Sequence, residues 1–168
     1  MARLMALDVG EARIGVAVCD AMGFLASPYT TLHVSRDEKQ LWAAIQRLIG
    51  ETEAEGLVIG LPISLDGQIH AQGRRIQAFA ERLRPFIAIP LTFWDERLST
   101  VEAQRLLVER AEVMGHKPSR GRGRGQQSTR RVKKRRQKGQ EIDALAATVI
   151  LQDYLDQQGR SKTEDKTV

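Results

Sequence analysis

The chain has 168 residues, 42% hydrophobic and 28% charged, with 26 Lys+Arg against 21 Asp+Glu for a formal charge of +5. This length supports one domain with its own core, and the near-average composition excludes wholesale disorder, collagen and coiled coil. The lone Cys19 excludes an internal disulfide. Asp8 interrupts any signal-peptide stretch, and no apolar run reaches the roughly 18 residues of a membrane helix, so a soluble cytoplasmic protein in a reducing compartment is expected.

Residues 3–9 and 13–19 read as short apolar strands, and the gap Gly10-Glu11-Ala12 between them has the length of a hairpin turn. A third strand fits within 24–34, where Pro28 predicts an edge or an irregularity. Ser35 and Glu38 have capping-box spacing, with Ser35 as N-cap. Behind them Leu41, Trp42, Ile45, Leu48 and Ile49 recur at helical intervals and predict a helix over 36–50. Leu57-Val58-Ile59 is a buried-strand signal ended by Gly60, and 61–67 reads as loop. A helix follows over 70–84, then a strand over 87–94, then a helix from Ser99 to about 113 opened by a second capping-box pattern, Ser99 to Glu102. The last helix is expected over 141–154, with Ile142, Leu145, Ala146, Val149 and Ile150 forming its apolar stripe. Three meandering strands followed by alternating helices and strands predict a mixed sheet covered by helices. Residues 1–157 are expected to form the single domain and 158–168 a flexible tail.

The charge is concentrated. Residues 117–138 hold Lys117, Arg120, Arg122, Arg124, Arg130, Arg131, Lys133, Lys134, Arg135, Arg136 and Lys138, and no acid. These are 11 of the 26 basic residues, which leaves 15 basic against 21 acidic residues elsewhere, a body at −6. A block of this kind is solvated, because like charges repel and nothing apolar is present to bury. Phosphate neutralisation is the simplest use of so many arginines; a solubilising loop is the bland alternative. The block contains no aromatic residue, so base stacking is not its task.

Carboxylates stand at the ends of elements. Asp8 closes an apolar strand, where aspartate is disfavoured unless the strand end is a site or the side chain closes an Asx turn around Gly10. Asp95 and Glu96 follow Thr92-Phe93-Trp94, and alternation sends their side chains to opposite faces, so at most one shares a face with Asp8. Asp143 lies early in the last helix, where an acid complements the dipole. Its spacing with Ala147 and Ile150 puts it at the border of the buried stripe, and Ala144, Ala146 and Ala147 allow a close approach to the sheet. Two or three carboxylates suit a hard divalent cation. His33, His70 and His116 are scattered, without zinc spacing. Whether positions 8, 96 and 143 meet requires a fold.

Four segments together resemble the YqgF family, also called RuvX. They are 6–17 (Ala-Leu-Asp-Val-Gly-Glu-Ala-Arg-Ile-Gly-Val-Ala), Val58-Ile59-Gly60-Leu61-Pro62 with Asp66-Gly67, 95–103 (Asp-Glu-Arg-Leu-Ser-Thr-Val-Glu-Ala), and 142–147 with Ile150-Leu151. The resemblance implies an RNase H-like α/β fold, a mixed five-stranded sheet of order 3-2-1-4-5 flanked by helices. It implies a nuclease of ribosome biogenesis acting in 5′-end maturation of precursor 16S ribosomal RNA, with resolution of Holliday junctions as the alternative taken from similarity to RuvC. Family carboxylates map onto Asp8, Glu96 and Asp143, which would converge to hold one or two Mg²⁺ or Mn²⁺; Asp95 is the acid left out. Arg13 and Arg97 are candidates for phosphate contact, against surface ion pairs with Glu11 or Asp95. Gly60 and Pro62 would shape the adjoining loop. The stretch Gly115 to Gln140 is unusually basic for the short loop expected there, and it would recruit RNA to a pocket that otherwise repels phosphate.

Two further readings compete. A non-catalytic RNA-binding assembly factor would not need all three acids, and an actin-like ATPase or sugar kinase needs two such lobes where 168 residues supply one. Precursor rRNA, or ribosomal particles carrying it, are the expected partners, with branched DNA as the rival. No membrane partner is expected, and nothing in the sequence demands a dimer.

Overall fold

A computed structural model describes residues 2–35, 37–64, 66–95 and 142–159. Five strands form one sheet: β1 (Leu4–Val9), β2 (Arg13–Cys19), β3 (Ala26–His33), β4 (Gly56–Leu61) and β5 (Leu91–Asp95), in the spatial order β3-β2-β1-β4-β5. β1–β2 and β2–β3 are antiparallel, whereas β1–β4 and β4–β5 are parallel. The helices among the described residues are α1 (Glu38–Thr52), α2 (Ala71–Leu83) and α3, helical over 142–159. This is the expected mixed sheet in the expected order. Among the described residues no helix is long and apolar enough to cross a membrane.

Alternation along the central strands sorts their side chains into two unlike faces. Met5, Leu7, Val9, Ile14, Val16, Leu57, Ile59 and Leu61 point one way and pack on Leu41, Trp42, Ile45 and Leu48 of α1 and Ile76, Phe79 and Leu83 of α2. Ala6, Ala17, Cys19 and Val58 point the other way and receive Ala147, Ile150, Leu151 and Leu155 of α3. One face is thus built of large residues under two helices. The other is built largely of small residues and, among the described residues, lies under α3, which therefore approaches closely. All six residues of β4 are buried, as a parallel strand covered on both faces requires.

α3 is tied to both sides of the sheet. Gln152 accepts from the Ala26 N–H at 2.9 Å and donates to the Phe24 carbonyl at 3.0 Å, beside the start of β3. On the other side Trp94 of β5 donates its indole N–H to Asp153 Oδ2 at 2.9 Å and meets Tyr154 edge-on, with centroids 5.3 Å apart.

Several boundaries differ from the sequence reading. The N-cap of α1 is Asp37, which accepts from the Lys39 N–H at 3.0 Å, while the Ser35 hydroxyl accepts the Asp37 N–H at 3.1 Å. Ser35 therefore orients the cap instead of being it. The strand expected over 87–94 begins only at Leu91, because a 3₁₀ turn at Arg84–Phe86 and Pro90 delay it; Ile87 and Ile89 pack on the core without strand pairing. α3 remains helical through residue 159, past the tail boundary expected at 157. Pro28 lies on edge strand β3, where the ladder with β2 shifts register between Val16 and Ala17. The helix expected from Ser99 to 113, the basic loop and residues 160–168 lie outside the described residues.

Candidate active site

Asp8 is the fifth residue of β1 and pairs across the ladder with Gly15 of β2. Since Ala6, paired with Ala17, faces α3, Asp8 and Gly15 face it as well. The β1–β2 turn is closed by the Gly10 N–H, which donates to the Arg13 carbonyl at 2.9 Å. A side chain on Gly10 would stand 2.6 Å from that oxygen, so the turn requires glycine. The backbone donor at Gly10 is thus spent within the hairpin and not on an Asx turn with Asp8.

Gly15 is where the first turn of α3 rests. A Cβ there would lie 1.8 Å from the Asp143 carbonyl oxygen and 3.0 Å from the Ala144 nitrogen. Because Gly15 faces Asp8 across the ladder, that contact brings Asp143 beside Asp8. Burial, and after it the negative charge of Asp143, push the Asp8 carboxyl above its ordinary value. Two carboxylates from opposite ends of the chain therefore share one partly desolvated place at the end of β1.

Arg13, first in β2, supplies the nearby cation. Its Nε lies 2.7 Å from Asp143 Oδ2, with the two side chains 38% and 24% exposed. The contact is Coulombic in geometry: Oδ2 is buried and accepts no hydrogen bond among the described residues. Glu11, weighed as an alternative partner for Arg13, pairs instead with Arg75 of α2, and Arg13 lies against Asp143. Sequence spacing held no signal for this, because the partners are brought together only by the seating of α3 on Gly15.

Asp95 stands opposite Leu61 at the end of β5, in step with Leu91 and Phe93 and thus on the face of α1 and α2. Trp94, out of step with it, joins the α3 face. Asp95 and Asp8 therefore point to opposite sides of the sheet. Glu96 and Arg97 lie outside the described residues, as do Arg120, Arg122, Arg124, Arg130, Arg131, Lys133, Lys134, Arg135 and Arg136. Among the described residues no three His, Cys, Asp or Glu side chains form a metal-binding group.

The donors present fit a hard divalent cation. Asp143 presents a buried carboxylate oxygen that accepts no hydrogen bond among the described residues, and Asp8 is a second carboxylate that gains from a positive neighbour. Oxygen donors of this kind are what Mg²⁺ and Mn²⁺ take.

A family model described as RuvX, Holliday junction resolvase, matches residues 2–121. A Thermoanaerobacter pseudethanolicus protein named "Putative pre-16S rRNA nuclease" is 38% identical over 156 residues, covering 93% of this chain and 97% of that protein. A Roseiflexus protein of the same name is 41% identical over 156 residues, covering 93% and 95%. Among solved structures, T. thermophilus RuvC in complex with Holliday junction substrate aligns with a TM-score of 0.52 at 9% identity, over 90% of this chain and 91% of that one. The last is a likeness of fold, and it places the sheet in the RNase H-like class. On the family match and the identity to its relatives, the chain belongs to the RuvX family.

Proposed function

We propose that this protein is a metal-dependent endonuclease that hydrolyses phosphodiester bonds of precursor 16S rRNA in maturation of its 5′ end. The observation that carries the reading is the seating of Asp143 on Gly15, which sets two carboxylates side by side at the end of the central strand. The names of the curated relatives support RNA as the substrate.

Asp8 and Asp143 would hold the cation, with Glu96 as the third carboxylate implied by the family pattern. A bound Mg²⁺ or Mn²⁺ would acidify an attacking water and steady the departing 3′ oxygen. The chain's own part is to hold the carboxylates in place. Gly15 fixes the start of α3, and the Trp94–Asp153 and Gln152 contacts fix its far half. The raised Asp8 carboxyl keeps its proton to a higher pH than usual, so proton and cation compete for that oxygen. The acidic pocket repels phosphate, and the cationic stretch at 117–138 offsets this by recruiting RNA.

The test is side-by-side cleavage of a precursor 16S rRNA fragment and a four-way DNA junction, with Mg²⁺ or Mn²⁺ and in excess chelator. RNA is expected to be cut only with metal. Asp8→Asn should lower the rate by about 100-fold or more, since the cation contributes several kcal/mol, while RNA binding survives. Removing residues 119–138 should weaken RNA binding and flatten its salt dependence. Undiminished cleavage in chelator overturns the metal mechanism. Cleavage of the junction alone makes the protein a resolvase, and binding without any cleavage makes it an assembly factor.

A further inference from the structure

Arg13 is placed to do more than meet a phosphate. Its backbone is fixed by the β2 ladder opposite His33 and by the Gly10 N–H on its carbonyl, so only its side chain is free to change partner. Glu11 of the same turn is engaged by Arg75. The guanidinium instead lies 2.7 Å from Asp143 Oδ2 without hydrogen-bond geometry. A contact held by charge and not by direction exchanges readily for another charge.

The oxygen Arg13 covers belongs to one of the two carboxylates assigned to the cation. Cation and guanidinium cannot both occupy it closely, because they compete for the same oxygen and repel each other. Two carboxylates against one guanidinium also leave the metal-free place net negative, so the exchange runs toward the cation. Once displaced, a planar and permanently charged guanidinium is suited to bind phosphate through paired N–H donors.

We propose that Arg13 is an exchangeable counter-charge: it holds Asp143 in place while the site lacks a cation and turns to a substrate phosphate when the cation binds. This inference rests on the metal-dependent reading above. It makes cation and RNA binding cooperative, and by linkage the cooperativity must be the same in either order.

The experiment uses the full chain as wild type, Arg13→Gln and Arg13→Lys, with folding checked by thermal melting. Mn²⁺ affinity is measured by calorimetry without RNA. Affinity for a precursor 16S rRNA fragment is measured in chelator and again in Ca²⁺, an oxygen-seeking cation of the same charge. Arg13→Gln should bind Mn²⁺ about fivefold tighter or more, because its competitor is gone. In chelator it should bind RNA like the wild type, since Arg13 is then occupied by Asp143. In Ca²⁺ it should bind RNA more weakly than the wild type. Arg13→Lys should restore part of both effects, and it carries the test if the glutamine variant does not fold. A purely structural role predicts weaker Mn²⁺ binding in Arg13→Gln, the opposite sign. Mn²⁺ affinity in Arg13→Gln no tighter than wild type overturns the exchange, as does an equal loss of RNA affinity with and without Ca²⁺. A wild type that binds no Mn²⁺ overturns the metal reading itself, and the exchange with it.

Discussion

The carbonyl oxygen of Asp143 occupies the place where a side chain on Gly15 would begin, 1.8 Å from the position of its Cβ. Backbone, not a flexible side chain, fills the space. A larger residue at position 15 can be accommodated only by moving α3 away from β2, and Asp143 moves with it.

Gly15→Ala should therefore destabilise the protein by about 1–3 kcal/mol, the usual cost of overpacking. It should also lower cleavage by more than the stability loss explains, because the two carboxylates separate. Denaturant melts and rates at a temperature where the variant is fully folded check this. A variant as active and stable as the wild type would show that α3 is not seated on Gly15.

Asp8 links pH to stability in the metal-free protein. Its folded carboxyl is raised above its ordinary value, by burial first and by Asp143 second. The folded state thus holds the proton more tightly than the unfolded chain. That advantage is fully present below the unfolded value and is lost as pH rises through the raised folded value. In chelator, melting temperature should fall across this window in the wild type. Asp8→Asn should lack this loss and be the more stable protein at neutral pH. Parallel profiles for the two proteins would refute the assignment.

Asp95 and Glu96 are adjacent acids of different expected importance. Because Asp95 faces α1 and α2, Asp95→Asn should leave cleavage within about threefold, as for substitutions away from a site. Asp8→Asn measured alongside should abolish it. Equal losses in both would bring Asp95 back among the metal ligands.

The indole of Trp94 ties β5 to α3 through Asp153. Trp94→Phe keeps a ring against Tyr154 but removes the donor, and a hydrogen bond to a charged group contributes about 1.5–3 kcal/mol. Thermal unfolding should show a loss of that order, and a change below about 0.5 kcal/mol would mean the bond contributes little.

The hairpin of β1 and β2 was legible because two short apolar runs flank a three-residue gap, and both patterns are local. The edge character of β3 was legible from Pro28, which cannot donate to a ladder. The cap of α1 is not decided by sequence, because Ser35 and Asp37 are both good caps two residues apart and the choice depends on which N–H each oxygen reaches. The start of β5 is not legible, because Ile87 and Ile89 carry the apolar signal of a strand while the chain still bends at residues 88 and 89. Pairing with β4 begins only with the Pro90 carbonyl, which accepts the Leu57 N–H at 2.9 Å. At the site, Asp8 stood out as an acid ending an apolar strand, and its meeting with Asp143 was supplied by family resemblance. The partner of Arg13 could not be read at all. It follows from a gap at Gly15 that a helix from the other end of the chain fills, and no local pattern encodes that.

The division of the interior also orders events during synthesis. Among the described residues, the core beneath α1 and α2 draws on none later than Phe93, so this part can consolidate before α3 is made. The opposite face, with Ala6, Ala17 and Val58, receives its cover among the described residues from α3, and Asp143 arrives with it. A partly translated chain therefore presents Asp8 without its partner Asp143. A protein proposed to cut the RNA of the machine that translates it acquires the means to do so only once α3 has been made.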